Sequence, residues 1–485
     1  MRAMLDWVAG RLVDHVASLP DQPACGDVEA EDLCRALREP EPPTAGAPLD
    51  ELLEPYFDEW VGRSFNTAGP GYFAFIPGGG LFAAALAELV SSVTNRFTGV
   101  WRAAPVLAQL EANALDWLRS WMTFPPGTRG VLTTGGSMAN LIALVCARER
   151  HLGTEIRPGV VYASEHVHHS VGKAARLAGV APDRVRPVAV DGDFRMRVDA
   201  LADAIARDRR AGLVPFCVVS SAGTTNTGAV DPLDAIADLC ADESLWHHCD
   251  GAYGAFFHAV PALRGLLPGL ARADSLTLDP HKGLFLPYGT GALLVRDGEA
   301  LRSSFGASAS YLPDAPDADA FYDPSQHGPE LSRDHRGLRL WLAIKLYGAQ
   351  ALVDAIAEKR ALAFDAAARI GAIDGIEIVA PPQLSLFAFA LRPPDADPAR
   401  ADAATRELVR RVTARGRVMI TGCRVDGRDL ARVCVLSFRT HAEHVDACVE
   451  DCAAVAAELL AGHGAPAGGP APRIFPDRDP GCRAS

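Results

Sequence analysis

GVLTTGGSMANLIALVCARER, residues 130–150, runs from a short apolar stretch into a Gly-Gly-Ser turn and then into a segment whose apolar residues recur at helical spacing. A strand that ends in small residues and leads straight into a helix is half of a strand–helix–strand unit, from which parallel sheets are built. The alternation continues to Val295. The apolar runs GVVYAS, PFCVVSS, SLWHHC, SLTL and GALLV have VGKAARLAG, RVDALADAIARDRRAG and DPLDAIADLCAD among them, each with a helical period. The fold class is therefore α/β, with a mostly parallel sheet covered by helices on both faces. In the last helical segment Asp231 is expected as the N-cap, with Pro232 at the first helical position, where its missing N–H costs nothing.

Outward from this block, residues 1–80 read as an N-terminal helical segment. MRAMLDWVAGRLVDHVASLP has Asp6 and Asp14 interrupting its apolar positions, the pattern of an amphipathic helix and not of a signal peptide. A Pro-rich stretch (39–48) and the glycine-rich GPGYFAFIPGGG follow. Residues 81–345 form the large domain. The stretch 306–335 shows no periodicity and reads as a mobile functional loop. A long helix, starting at GLRLWLAIKLYGAQALVDAIAEK, leads into a small C-terminal α+β domain (346–462) with strand-like LSLFAFAL and VCVLSF. Residues 463–485 are dominated by Gly, Pro and Ala and are expected to be disordered.

Composition narrows the functional classes. Of 485 residues, 49% are hydrophobic and 22% charged, and no apolar run approaches the roughly 20 residues needed to span a bilayer. Lys and Arg total 47 against 60 Asp and Glu, a net charge of −13, and no basic run is available to neutralise phosphates, so neither nucleic acid nor membrane is an expected partner. Eleven scattered cysteines with no CxxC pair read as reduced thiols in a cytoplasmic protein, with Cys448 and Cys452, one helical turn apart, as core residues. HHCD at 247–250 lacks a second ligand pair, so no metal is expected.

In an open α/β sheet, ligands bind beyond the carboxyl ends of the strands. After GVLTT come Gly135, Gly136 and Ser137, which expose N–H groups at a helix N-terminus where an anion is favoured. After GVVYAS come His166, His168 and His169; after PFCVVSS, Thr224; after SLWHHC, Asp250; after SLTL, His281 and Lys282. Lys282 lies between Leu278 and Leu284–Phe285, where lost hydration is expected to lower its pKa and leave an amine able to attack a carbonyl. Each residue also has an ordinary reading: a turn cap, a core histidine, a lysine whose charge reaches water. Together they suit a phosphate, an aromatic ring with a basic nitrogen and an aldehyde, which describes pyridoxal 5′-phosphate. Lys282 would hold it as a Schiff base, and Asp250 would keep its pyridine nitrogen protonated, making the ring an electron sink. His168 would lie against the ring, Thr224 would touch its substituents or other face, and the small Ala252 would let it approach the backbone.

The chain resembles the group II pyridoxal-phosphate decarboxylases, specifically the aromatic-L-amino-acid decarboxylase family. The resemblance rests on YFAFIP, TTGGSMANLIAL, HVHHSVGKAARLAGV, DGDFRM, SAGTTNTGAVDPL, HCDGAYGAF, DPHKGLF, YL at 311 and SFRTH at 437–441, in the family's order over nearly the whole chain. It implies a type I pyridoxal-phosphate-enzyme fold and decarboxylation of an L-amino acid, aromatic ones preferred, to the amine and carbon dioxide. It makes Lys282, His168, Asp250 and Tyr311 catalytic, with Tyr311 protonating the substrate carbon after decarboxylation. Gly136, Ser137 and His281 would bind phosphate, and Ser332 would approach the phosphate of a neighbouring subunit in a homodimer. Phe73, Phe75, Ile76 and Pro77 would form an apolar wall suited to an aromatic side chain, and burial in the core explains them equally well. Gly78, Gly79 and Gly80 are small along such a wall, which suggests a larger or differently shaped substrate and leaves acidic and aliphatic amino acids open. The nearest rival is an aldehyde synthase, whose family members commonly lose the loop tyrosine. An aminotransferase would need a substrate-carboxylate arginine, which is not evident. A dehydrogenase using TTGGS would lack GxGxxG, and a non-catalytic regulator would have no use for DPHK.

Overall fold

The apolar runs become strands of one seven-stranded sheet: β1 (Arg129–Thr133), β2 (Gly159–Ser164), β3 (Val185–Val188), β4 (Val214–Ser221), β5 (Trp246–Asp250), β6 (Ser275–Leu278) and β7 (Gly291–Val295), in the order β1-β7-β6-β5-β4-β2-β3. The computed structural model describes residues 1–307, 317 and 320–462. Strand β7 runs antiparallel to β1 and β6, and the remaining pairs are parallel. Only β3 is absent from the sequence expectation. It is a short edge strand with Val188 as its one buried residue, and Pro187 supplies no N–H.

Alternation along the central strands explains their continuous apolar runs. Val161 and Ala163 face the helix Gly136–His151 through Ala139, Ile142, Ala143 and Cys146. Val160 and Tyr162 face the other side, against Leu201, Ile205 and Ile236. Both faces are covered, as a parallel sheet requires.

Two compact units make up the chain. One comprises Met1–Pro77, Leu362–Pro381 and the described residues from Phe387; the other comprises Gly78–Ala361 and Pro382–Leu386. The N-terminal segment, expected to stand apart, shares its unit with the C-terminal sheet of β8 (Ile376–Ala380), β9 (Leu386–Leu391), β10 (Thr421–Val425) and β11 (Arg428–Cys434). Phe73 is buried in that sheet's core with Phe387, Phe389 and Val433, and its N–H donates to the Met419 carbonyl at 2.9 Å. Asp426 and Gly427, both at positive φ, close the β10–β11 hairpin. Cys448 and Cys452 do lie in this core.

Three local expectations change. The carboxylate of Asp231 caps no helix: the helix starts at Leu233, and Asp231 accepts from the Met196 and Ser221 N–H groups at 2.7 Å each. The long helix is two, Arg336–Tyr347 and Ala349–Gly371, bent by 90° where Gly348 takes φ 82°. In the stretch 306–335, the part beyond Phe321 is tied down, because Arg333 and Glu111 form a buried ion pair at 2.6 Å.

Gly78 and Gly79 also have a packing reason that the sequence does not show. A Cβ on Gly78 would lie 2.9 Å from the His281 carbonyl oxygen, and one on Gly79 would lie 2.5 Å from Phe285 Cβ and 2.7 Å from its carbonyl oxygen. Their small size therefore serves the turn that carries Lys282, and it no longer argues for a larger substrate. Backbone cannot move aside as a flexible side chain can, so Gly79→Ala is expected to destabilise by about 3 kcal/mol. A thermal midpoint equal to that of the unsubstituted protein would contradict this.

Candidate active site

Lys282 sits on a single helical turn, Pro280–Gly283, immediately after β6. Its Nζ lies 2.8 Å from Asp279 Oδ2, with the carboxylate almost fully buried. Burial works to lower the Lys282 pKa. The Asp279 carboxylate, helped by Asp250, outweighs it, and the net shift is upward. This reverses the sequence expectation, which counted desolvation and not the neighbouring carboxylates. The chain leaves the turn through buried Phe285 at φ 62°, a conformation that costs a bulky residue roughly 1–3 kcal/mol and holds only where packing dictates it. Here the Phe285 carbonyl accepts from Leu81 N–H at 2.8 Å.

Asp250 ends β5, paired in register with Ser221 of β4 and Thr277 of β6. Because strand side chains alternate, Trp246, His248 and Asp250 share one face with Ser275 and Thr277 of β6. The helix Gly136–His151 packs on that face and brings Asn140 into it. Asn140 Nδ2 donates to Asp250 Oδ2 at 2.9 Å, and the Ala252 N–H donates to Oδ1 at 3.2 Å. His248 Nε2 meets Asn140 Oδ1 at 3.0 Å, and burial lowers the His248 pKa to about 4. The sequence analysis weighs His248 only as a metal ligand within HHCD and does not single out Asn140, Ser275 or Thr277. Polar residues at alternate positions of otherwise buried strands, and one Asn within an apolar helical face, were the available signal.

The phosphate candidates lie one helical turn before Asn140. The first-turn N–H groups of a helix have no partner within it, so Gly136 and Ser137 offer theirs to an anion. A Cβ on Gly136 would come within 3.1 Å of both Ala252 Cβ and Asp279 Oδ2, so the floor of this cradle admits only glycine without displacement. His281 Nδ1 donates to the Thr290 carbonyl at 2.8 Å, and burial lowers its pKa.

The remaining candidates divide. His168 is half-buried, its Nδ1 2.7 Å from Ser170 Oγ, and the ring of exposed His169 packs against it with centroids 4.2 Å apart. Burial, with His169 and Lys282 adding to it, lowers the His168 pKa against the pull of Asp250 and Asp279. Thr224 is buried, and its hydroxyl is engaged with Thr227 Oγ1 at 2.8 Å and the Ala229 N–H at 3.1 Å. His166 packs its ring edge on Phe194. Ser332 is exposed. Phe75, Ile76 and Pro77 belong to the other unit, where Phe75 stacks on Phe65 and gives its carbonyl to Arg432. Tyr311 lies outside the described residues.

These groups fit pyridoxal 5′-phosphate. Asp279 Oδ1 is buried with no hydrogen-bond partner among the described residues, beside a cradle that a Cβ would fill. Gly136, Ser137 and His281 would hold the phosphate, Asp250 the ring nitrogen and Lys282 the aldehyde carbon.

Comparison with known proteins points to the same cofactor. The family described as pyridoxal-dependent decarboxylase conserved domain matches residues 34–392. The chain is similar to an aromatic-L-amino-acid decarboxylase of Bacillus atrophaeus, at 35% identity over 438 residues, 90% of this chain and 91% of that one. Its fold is similar to the crystal structure of Oryza sativa TDC with PLP and tryptamine, with TM-score 0.90 and 30% identity over 95% of this chain and 98% of that one. It is also similar to Rhodiola rosea 4-hydroxyphenylacetaldehyde synthase, with TM-score 0.87 and 26% identity over 94% and 97%. Sequence and fold agree over nearly the whole length, and the chain belongs to the pyridoxal-dependent decarboxylase family, carboxy-lyases whose cofactor is pyridoxal 5′-phosphate.

Proposed function

We propose that the substrate is an aromatic L-amino acid and that the products are its amine and carbon dioxide. The observation that carries this reading is the similarity to the Bacillus atrophaeus aromatic-L-amino-acid decarboxylase along 90% of the chain. When bound, the cofactor supplies an aldehyde that captures the substrate amine and a ring that accepts the electron pair left as carbon dioxide departs. The protein's part is to hold charge and protons. Lys282 Nζ must lose a proton before it can act as a nucleophile, and Asp279 Oδ2 at 2.8 Å is the acceptor within reach. Asp250 would present a carboxylate to the ring nitrogen, and His168 would lie against the ring. Tyr311 would donate the proton to the substrate carbon.

The test is a set of decarboxylation assays across the common L-amino acids. Trp, Tyr, Phe or a hydroxylated relative should be turned over fastest, and a preference for glutamate or an aliphatic substrate would overturn the assignment. Similarity to an aldehyde synthase supports a second reading, in which oxygen takes part after decarboxylation and the product is an aldehyde. Tyr311 favours the amine, and assaying hydrogen peroxide and aldehyde beside amine separates the two.

The same proposal makes the protein a cytoplasmic homodimer with Ser332 directed at the partner's phosphate. In the helix Phe82–Thr94, Phe82, Leu86, Leu89, Val90 and Val93 form an exposed apolar stripe at helical spacing, of the kind a second copy would cover. The ten described cysteines form no disulfide with one another and eight of them are buried, as suits a reducing compartment.

A further inference from the structure

We propose that Asn140 is the positioning residue of this site: one carboxamide orients Asp250 and, through Ser170, decides which nitrogen of His168 carries the proton. The inference rests on reading Asp250 as the partner of the pyridine nitrogen and His168 as the ring-facing imidazole.

Hydrogen-bond directions along the buried face can be followed from one end. The Trp246 indole N–H can only donate, and Ser275 Oγ accepts it at 2.8 Å. The Asp250 carboxylate can only accept, so Asn140 turns its Nδ2 to it and its Oδ1 to His248 Nε2, which leaves His248 Nδ1 to accept the Ser275 proton, also at 2.8 Å. With Nδ1 accepting, neutral His248 carries its proton on Nε2 and donates it to Asn140 Oδ1 at 3.0 Å. Thr277 Oγ1 donates to the same oxygen at 2.7 Å. Oδ1 is thereby filled, and the amide can point only one way. Its two N–H groups go to Asp250 Oδ2 at 2.9 Å and Ser170 Oγ at 3.1 Å. The Ser170 backbone N–H points at His168 Nδ1 at 3.3 Å, which marks that nitrogen as an acceptor, so the Ser170 hydroxyl that accepts from Asn140 gives its own proton to Nδ1 at 2.7 Å. His168 is left with its proton on Nε2.

The chemistry explains why a neutral amide stands at this position. Both oxygens of Asp250 accept from uncharged donors, Asn140 and the Ala252 N–H, so the carboxylate is oriented without being neutralised. A lysine or arginine in that place would compete with the cationic ring nitrogen for the same charge. Asn140 is 1% exposed and follows Gly136 by one helical turn, so the helix that presents N–H groups to the phosphate also aims the carboxylate.

Two substitutions cut the two arms separately in the full-length protein. Asn140→Asp places a second carboxylate 2.9 Å from Asp250, and two such groups share a proton. With folding confirmed by circular dichroism, the expected result is a titration of the loaded protein's visible band between about pH 5 and 8 that the unsubstituted protein lacks. Equilibrium dialysis should show pyridoxal 5′-phosphate affinity reduced about tenfold on the acid side of that step. Ser170→Ala is read in the apo protein by 15N-labelled histidine, with His168→Gln to assign the signals. The unsubstituted protein should show the Nε2–H form of His168, and Ser170→Ala a mixture of both forms. The charged or titrating groups facing His168 are Asp250, His169, Lys282 and Asp279.

A folded Asn140→Asp protein with unchanged affinity and band titration would overturn the proposal. So would an Nδ1–H His168 in the unsubstituted apo protein, a measurement that decides the matter even if Asn140→Asp does not fold. Failure of the unsubstituted protein to bind the cofactor would overturn the reading of Asp250 and leave the apo histidine result standing on its own.

Discussion

Lys282→Ala is expected to lower turnover by about 10⁴-fold or more, because on the proposed assignment it removes the amine that would anchor the cofactor and return to release product. Borohydride treatment of the loaded protein should fix the cofactor to residue 282 and should fix none in the variant. Alanine also deprives Asp279 of its 2.8 Å partner, and a buried carboxylate left without its cation is destabilising. Lys282→Arg separates the two effects. The guanidinium keeps a positive charge beside Asp279 but stays protonated and cannot act as the nucleophile. Stability near that of the unsubstituted protein is therefore expected with turnover still absent. Appreciable turnover in a pure Lys282→Arg preparation would refute the assignment of the lysine.

Asp250→Asn is expected to reduce turnover by about 10³-fold, the scale on which a preorganised charge at a reacting centre acts. The substitution keeps the shape and removes the negative charge that, on the proposed assignment, would hold the ring nitrogen protonated. It also sets an amide donor against another donor, since both Asp250 oxygens currently accept N–H groups. Cofactor affinity should fall with turnover, which equilibrium dialysis and steady-state kinetics measure together. Asp250→Glu retains the charge but displaces it by one methylene and should fall between the two. An Asp250→Asn protein that turns over at the original rate would leave the ring nitrogen without an assigned partner.

The seven-stranded sheet was legible wherever a strand carried its own pattern. β1, β2 and β4–β7 are apolar runs ended by small or polar residues, and burial on both faces requires such runs. The placement of the Gly-Gly-Ser turn, Asp250 and Lys282 at strand ends was legible for a related reason. Each follows a strand, and ligands bind at the carboxyl ends of parallel strands. β3 escaped because an edge strand with a proline carries neither signal. The break at Gly348 escaped because the helical period continues on both sides of it.

Residue order was enough to place a lysine, an aspartate and a glycine turn at one end of a sheet, since local periodicity and chain direction suffice for that. It could not show the sign of the Lys282 shift, which is the difference between burial and two carboxylates and so depends on distances in space. Nor could it show Asn140, whose partner Asp250 lies 110 residues further along the chain. Hydrogen bonds that join separate elements become fixed when the helix docks on the sheet, and until then no local pattern records them.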